Sequence, residues 1–174
     1  MGPNTYKLSI YEVGLAFSET RGGDQVVCYS RKIERFLFPG PSSTIFGSAE
    51  KNLRVIDNLK EDFVGGSGEF CYESRKYYGH VVVEFTTVKK ISGLKFRVRS
   101  SATHWNYKKM AVKVGNVTSA GDFSSYSLLT VVDNPLVVAS EDFIMEGDEP
   151  LYGKFVALLE LGYATFFICS LEIY

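Results

Sequence analysis

Residues 80–98 read HVVVEFTTVKKISGLKFRV, and this stretch decides the class of fold. In its second half Leu94, Phe96 and Val98 alternate with Lys95, Arg97 and the following Arg99. A period of two is the repeat of a strand, whose successive side chains leave opposite faces. A charge at every second position does not fit a buried helix. It fits an antiparallel strand with one face in the core and one in water. The first half, HVVVEFTTV, is a strand-length apolar run, and the stretch is read as two strands joined by a short turn.

The same pattern continues to the end of the chain. In 108–117 (KKMAVKVGNV) Met110, Val112 and Val114 oppose Ala111 and Lys113. In 166–174 (FFICSLEIY) Phe167, Cys169, Leu171 and Ile173 fall on one face. Between them lie SSYSLLTVV, VVASEDFIM and YGKFVALLEL, each of strand length and each bounded by Gly, Asn, Asp, Pro or Ser. YGKFVALLEL and FFICSLEIY read as two paired strands.

The first part of the chain is less regular. Tyr6–Val13 and Gln25–Ile33 read as strands joined by the turn-rich LAFSETRGGD, and FPGPSSTIFGS breaks the chain near Pro39–Ser48. Helix evidence is confined to AEKNLRVIDNLKEDF, enough for a turn or two. The division expected is an N-terminal extension over 1–41, adding strands to the sandwich, and a β-sandwich domain over 42–174. The fold class is all-β, a jelly-roll sandwich of about eight core antiparallel strands with extra N-terminal strands.

Composition narrows the function classes. Thirteen Phe and eleven Tyr against one Trp suit pleated sheets. Nineteen basic and twenty acidic residues leave a net charge of −1, without the basic excess of a nucleic-acid binder. No segment approaches the roughly 20 apolar residues of a membrane span. The opening MGPNTYKL lacks a basic cap before an apolar core, so no leader is expected within this sequence. The three cysteines, Cys28, Cys71 and Cys169, all lie in strand-like stretches. They fit one disulfide with one free thiol, or three buried thiols, and their spacing fits no zinc motif. Asn116-Val117-Thr118 is the single glycosylation sequon.

From about Ser42 to Tyr174 the chain resembles the discoidin domain, or coagulation-factor type C domain, of the galactose-binding-like superfamily. SSTIFGSAEKNLRVIDNLKEDF resembles the family's opening, and HVVVEFTTVKKISGLKFRV its paired core strands. SSATHWNYKKMAVKVGN resembles a loop ending in an aromatic, followed by a strand closing on Val-Gly-Asn. YGKFVALLEL with FFICSLEIY resembles the closing hairpin. The His and paired-Arg constellation of fucose-binding lectins, a sibling family, is not evident.

The resemblance implies recognition through loops at one end of a rigid sandwich. Loop 100–108, with His104, Trp105, Asn106 and Tyr107, is the first candidate, flanked by Arg99. Aromatic faces stack on sugar C–H edges or enter a protein pocket, while His and Asn offer directional hydrogen bonds. Trp105 capping the sandwich from inside is the competing reading. The Gly-rich loop KEDFVGGSGE, with Phe63 at its tip, is the second candidate, against a plain solvated turn. Many relatives hold a structural calcium, and the resemblance would make Asp57, Asp62 and Glu172 its ligands; an acidic trio without metal is the other reading.

Only His80 and His104 are available as imidazole bases, and His80, opening a strand, reads as a neutral structural histidine. The acidic clusters Glu141-Asp142 and 146–149 read as solvated turns, and no catalytic set is expected. The function expected is non-catalytic binding of glycan or protein at an extracellular or cell-surface location. The alternative is a cytosolic adaptor docking in a larger complex.

Overall fold

The computed structural model describes residues 18–21, 24–27, 44–48, 59, 71–98 and 104–174; for 18–27, Lys76 and 104–106 the description is of the backbone. The chain forms two compact units, 1–36 and 37–174. In the first, β1 (Ser18–Arg21) pairs antiparallel with β2 (Asp24–Val27). Their register sets Arg21 opposite Asp24 and Ser18 opposite Val27. Ser18–Arg21, expected within a long turn, is therefore strand. Tyr6–Val13 lies outside the described residues.

The second unit is built from β3 (Thr44–Gly47), β4 (Tyr72–Tyr77), β5 (His80–Arg97), β6 (His104–Asn106), β7 (Lys109–Gly115), β8 (Ser127–Asp133), β9 (Leu136–Val138), β10 (Asp142–Glu160), β11 (Thr165–Ile168) and β12 (Ser170–Ile173). The main sheet runs β12-β5-β10-β7-β8, with β3 also paired to β5. β4 pairs with β11 and β6 with β9. Every pairing is antiparallel. Among the described residues no helix is long and apolar enough to cross a membrane. The stretch read as a turn or two of helix lies outside the described residues apart from Leu59, which is buried in the core.

Two strands are longer than expected. β5 runs unbroken through Lys89-Lys90, where a turn was read between two strands. β10 likewise fuses the end of VVASEDFIM with YGKFVALLEL. The run TTVKKIS holds no residue that demands a reversal, and Gly147-Asp148-Glu149-Pro150 makes an irregularity where a turn was read. Four residues of β10, 147–150, stand against Ser92 alone, at a place where Pro150 has no N–H to give the ladder. Four residues of β5, 85–88, then stand against Lys154 alone. The two offsets cancel, and Val156 meets Val83 and Leu158 meets Val81.

The closing hairpin is also absent. β10 is flanked by β5 and β7, and FFICSLEIY divides at Cys169. Its first part pairs with β4 and its second with β5. Cys169 is disulfide-bonded to Cys71, which decides between the two cysteine readings; Cys28 lies outside the described residues.

The larger core lies on one face of the main sheet, where Val81, Val83, Leu94, Phe96, Met110, Val112, Val156 and Leu158 meet Tyr72, Phe166 and Ile168 of the β4–β11 pair. The opposite face was expected wet. Around Val82 it holds a second cluster with Phe155, Ala157, Leu159 and Tyr126, against which Phe123 packs. A continuous apolar run such as HVVV is the mark of a strand buried on both faces. Lys95, placed on the wet face by alternation, is 5% exposed. Its Nζ lies 2.9 Å from Glu172 and 3.3 Å from Asp142, which also accepts from Arg97.

Candidate functional site

Four connections meet at one end of the sandwich. They are the β4–β5 turn, the β6–β7 turn, the β8–β9 turn and the β10–β11 loop. Leu161 N–H donates to the Lys109 carbonyl at 2.7 Å, Glu160 N–H to Gly79 at 2.9 Å, and Asn134 N–H to Lys108 at 2.8 Å. Glu160 adds a side-chain clamp: its Oε1 accepts from Lys109 N–H at 3.1 Å and Gly162 N–H at 2.7 Å. Burial raises the pKa of this carboxyl, opposed by those N–H donors and by nearby Lys108. The loop ends are thus held to one another by backbone bonds and one buried acid.

Tyrosines crown this end. Tyr77, Tyr78 and Tyr163 are 46%, 57% and 65% exposed. The Tyr163 ring centroid is 4.0 Å from that of Tyr77 and 5.8 Å from that of Tyr78. Tyr78 sits at φ 59°, a left-handed conformation that costs a residue with a Cβ of order 1 kcal/mol. The next residue, Gly79, lies so close to Phe166 that a Cβ would stand 2.3 Å from the Phe166 Cβ. The turn is therefore pressed onto the core on one side and presents tyrosine on the other.

β6 leads straight into this end. His104, Trp105 and Asn106 pair with Val138, Val137 and Leu136, and the next residue is Tyr107. Leu136 and Val138 are exposed, while Val137 is buried. Tyr107, expected in the ligand loop, is a core residue instead. Its hydroxyl donates to the Phe167 carbonyl, its ring packs edge-on to Phe96 and Phe166, and burial drives its pKa far up. Arg99 and Phe63 lie outside the described residues, as do Asp57 and Asp62.

Glu172, assigned by the resemblance to a calcium ion, is held by the Lys95 ammonium at 2.9 Å. A hard cation at that oxygen would face a positive charge already in contact with it, so Glu172 does not fit a calcium ligand. Among the described residues no group of three His, Cys, Asp or Glu could hold a metal. His80 opens β5 as read: Ser48 Oγ lies 3.1 Å from its Nδ1, and burial lowers its pKa. Asp142, read as part of a solvated turn, is instead in the ion cluster.

The tyrosine trio was missed in the sequence. SRKYYGH does place two aromatics before a turn glycine, but nothing local joins them to the Tyr of GYAT, which only the fold brings alongside.

No protein-family model matches the chain, and no curated protein does. Solved structures do match. A fucolectin from striped bass serum superposes with a TM-score of 0.63 at 13% identity, over 79% of this chain and 48% of that one. A family 32 carbohydrate-binding module of Clostridium perfringens NanJ, solved with galactose, gives 0.58 at 12% identity, over 79% and 97%. Another family 32 module, CBM32-3 of a family 31 glycoside hydrolase from Clostridium perfringens, gives 0.60 at 8%, over 80% and 94%. The chain has a discoidin-type, galactose-binding-like fold. In this discoidin-type sandwich the strands are paired, and the three exposed tyrosines described above lie at the end of β4 and in the β4–β5 and β10–β11 connections.

Proposed function

We propose that the chain is a non-catalytic, extracellular or surface recognition module that binds a glycan through the tyrosine-bearing end of its sandwich. The observation that carries this reading is the trio Tyr77, Tyr78 and Tyr163: three exposed rings, from the last residue of β4, the β4–β5 turn and the β10–β11 loop, held within stacking range. Such rings offer flat apolar faces to sugar C–H edges and hydroxyls to sugar oxygens. Exposed aromatics preorganised on a knitted set of loops cost little ordering entropy on binding. His104, Asn106 and Arg99 are proposed as hydrogen-bonding partners, with Trp105 and Phe63 as further apolar contacts.

Two further facts support the reading. The Cys71–Cys169 disulfide suits an oxidising compartment, whereas the cytosolic adaptor alternative would keep both thiols reduced. Among similar folds, the NanJ module is solved with galactose. The reading assigns no catalytic step to any residue.

The test is a glycan array followed by calorimetry on any sugar retained. Tyr163→Ala is expected to weaken binding about tenfold, the effect of roughly 1.4 kcal/mol from one stacked ring. Its melting temperature should barely move, because the ring is exposed. Undiminished affinity in a folded Tyr77→Ala/Tyr78→Ala/Tyr163→Ala variant would overturn the assignment of the site. Retention of no glycan by the intact protein would overturn the function.

A further inference from the structure

The far end of the main sheet carries a second feature. Asn116, Val117 and Thr118 follow directly on β7 and are all exposed. The Asn116 amide is oriented by its neighbours: Oδ1 accepts from Lys154 N–H at 3.2 Å, and Nδ2 stands 3.5 Å from the Tyr152 carbonyl. We propose that Asn116 is an N-glycosylation site, taking an oligosaccharide on Nδ2. The inference shares with the proposed function only the oxidising compartment.

The geometry suits the chemistry. Nδ2 attacks the anomeric carbon of a lipid-pyrophosphate-linked oligosaccharide. The N–C bond forms, the C–O bond to pyrophosphate breaks, and its electron pair leaves on the lipid pyrophosphate. One proton departs from Nδ2 to a base of the transferring enzyme. The product amide keeps its oxygen and one N–H, so the bond from Lys154 survives and the remaining N–H can still face Tyr152. Modification therefore sacrifices none of the bonds that hold this turn to β10. Thr118, two residues on, supplies the hydroxyl that the sequon requires.

Three observations converge on the site. The sequon is exposed in the fold and does not lie within a strand. The Cys71–Cys169 disulfide is the kind of bond formed in the compartment where this transfer occurs. The surface beside it is apolar and open, with Val117 59% and Tyr152 64% exposed, and an attached glycan would cover it. Position matters as well. β7 runs from Lys109, beside the tyrosine end, to Gly115, beside Asn116. Seven strand residues span about 20 Å. A glycan on Asn116 would therefore leave the proposed binding end clear.

The full chain, carried through the secretory pathway of a eukaryotic cell behind a cleavable leader, provides the test. The secreted protein should run slower than the unmodified chain and shift down in one step on enzymatic deglycosylation. Peptide mass analysis should then find aspartate in place of Asn116. Asn116→Gln, Thr118→Ala and Val117→Pro should each abolish the shift. Translation with microsomes repeats the measurement without requiring secretion of any variant. A disulfide-bonded product whose mobility ignores deglycosylation, or a shift that persists in Asn116→Gln, would overturn the proposal. Glycan binding by the unmodified protein is a separate measurement, so either inference can fail alone.

Discussion

Replacing Lys95 with Met tests the least expected feature of the outer sheet face. The ammonium is 5% exposed and sits across three strands, touching Glu172 on β12 and Asp142 on β10. Burial disfavours its charge, but Glu172 and Asp142 outweigh burial and raise its pKa. Removing one partner of a buried pair costs about 3–5 kcal/mol, because a carboxylate is left without its counter-charge. Asp142 is less enclosed and also holds Arg97, so about 2–3 kcal/mol is expected here. In a domain of this size that lowers the melting temperature by about 4–12 °C. Adding Glu172→Leu should recover most of the loss, since an apolar pair can replace a buried ion pair at little cost. Lys109→Met is the control: that amine and its partner Asp133 are 47% and 68% exposed, and a surface pair contributes about 0–1 kcal/mol. Urea unfolding of the parent, Lys95→Met, Glu172→Leu and the double variant gives the cycle, with Lys109→Met measured beside it. If Lys95→Met cost no more than Lys109→Met, or if the Lys95 and Glu172 losses simply added, the buried cluster would not be a stabilising unit.

The disulfide and the histidine give two more predictions. Cys71 and Cys169 are 98 residues apart, and closing such a loop is worth at most about 4–5 kcal/mol, so Cys71→Ala/Cys169→Ala should lose about 2–4 kcal/mol in urea. An unchanged midpoint under strong reductant would count against the bridge. His80 is kept neutral by burial, below its ordinary value of 6.5. Above that pH neither folded nor unfolded chain is protonated there, so no stability is lost. Below it the unfolded chain takes up a proton that the folded chain resists, and stability falls until the folded-state pKa is reached. Melting curves between about pH 7.5 and 5.5 should therefore decline more steeply for the parent than for His80→Gln. Parallel slopes would remove the assignment.

The all-β class was legible because it rests on local alternation. Leu94, Phe96 and Val98 are fully buried, as are Met110 and Val112, all on the face read as inward. Alternation names a face without saying what covers it. Lys95 does leave the core face, yet lies under charged neighbours from strands more than forty residues away. The double cover over Val82 is written in HVVV, a run of three apolar residues without the alternation that a wet face imposes. Tyr107 was drawn into the ligand set because aromatics next to His104 and Asn106 look like a binding loop. Its depth is decided by Phe96 and Phe166, which no window around it contains. The tyrosine end failed to show for the same reason, since Tyr163 reaches Tyr77 only after β10 has returned along β5.

That return depends on residues remote from the site. The register of β10 on β5 is displaced by three residues after 147–150 and restored by three after 85–88. Three is odd, and an odd slip carries side chains to the wrong face of a sheet. With the first offset alone, Leu158 would stand opposite Glu84 instead of Val81, and the apolar pairing that joins the two strands would be lost. Because the second offset exists, Leu159 meets His80, Glu160 N–H reaches Gly79, and the loop bearing Tyr163 closes over Tyr77 and Tyr78. The irregularities in the middle of the long ribbon are therefore what align the tyrosines at its end.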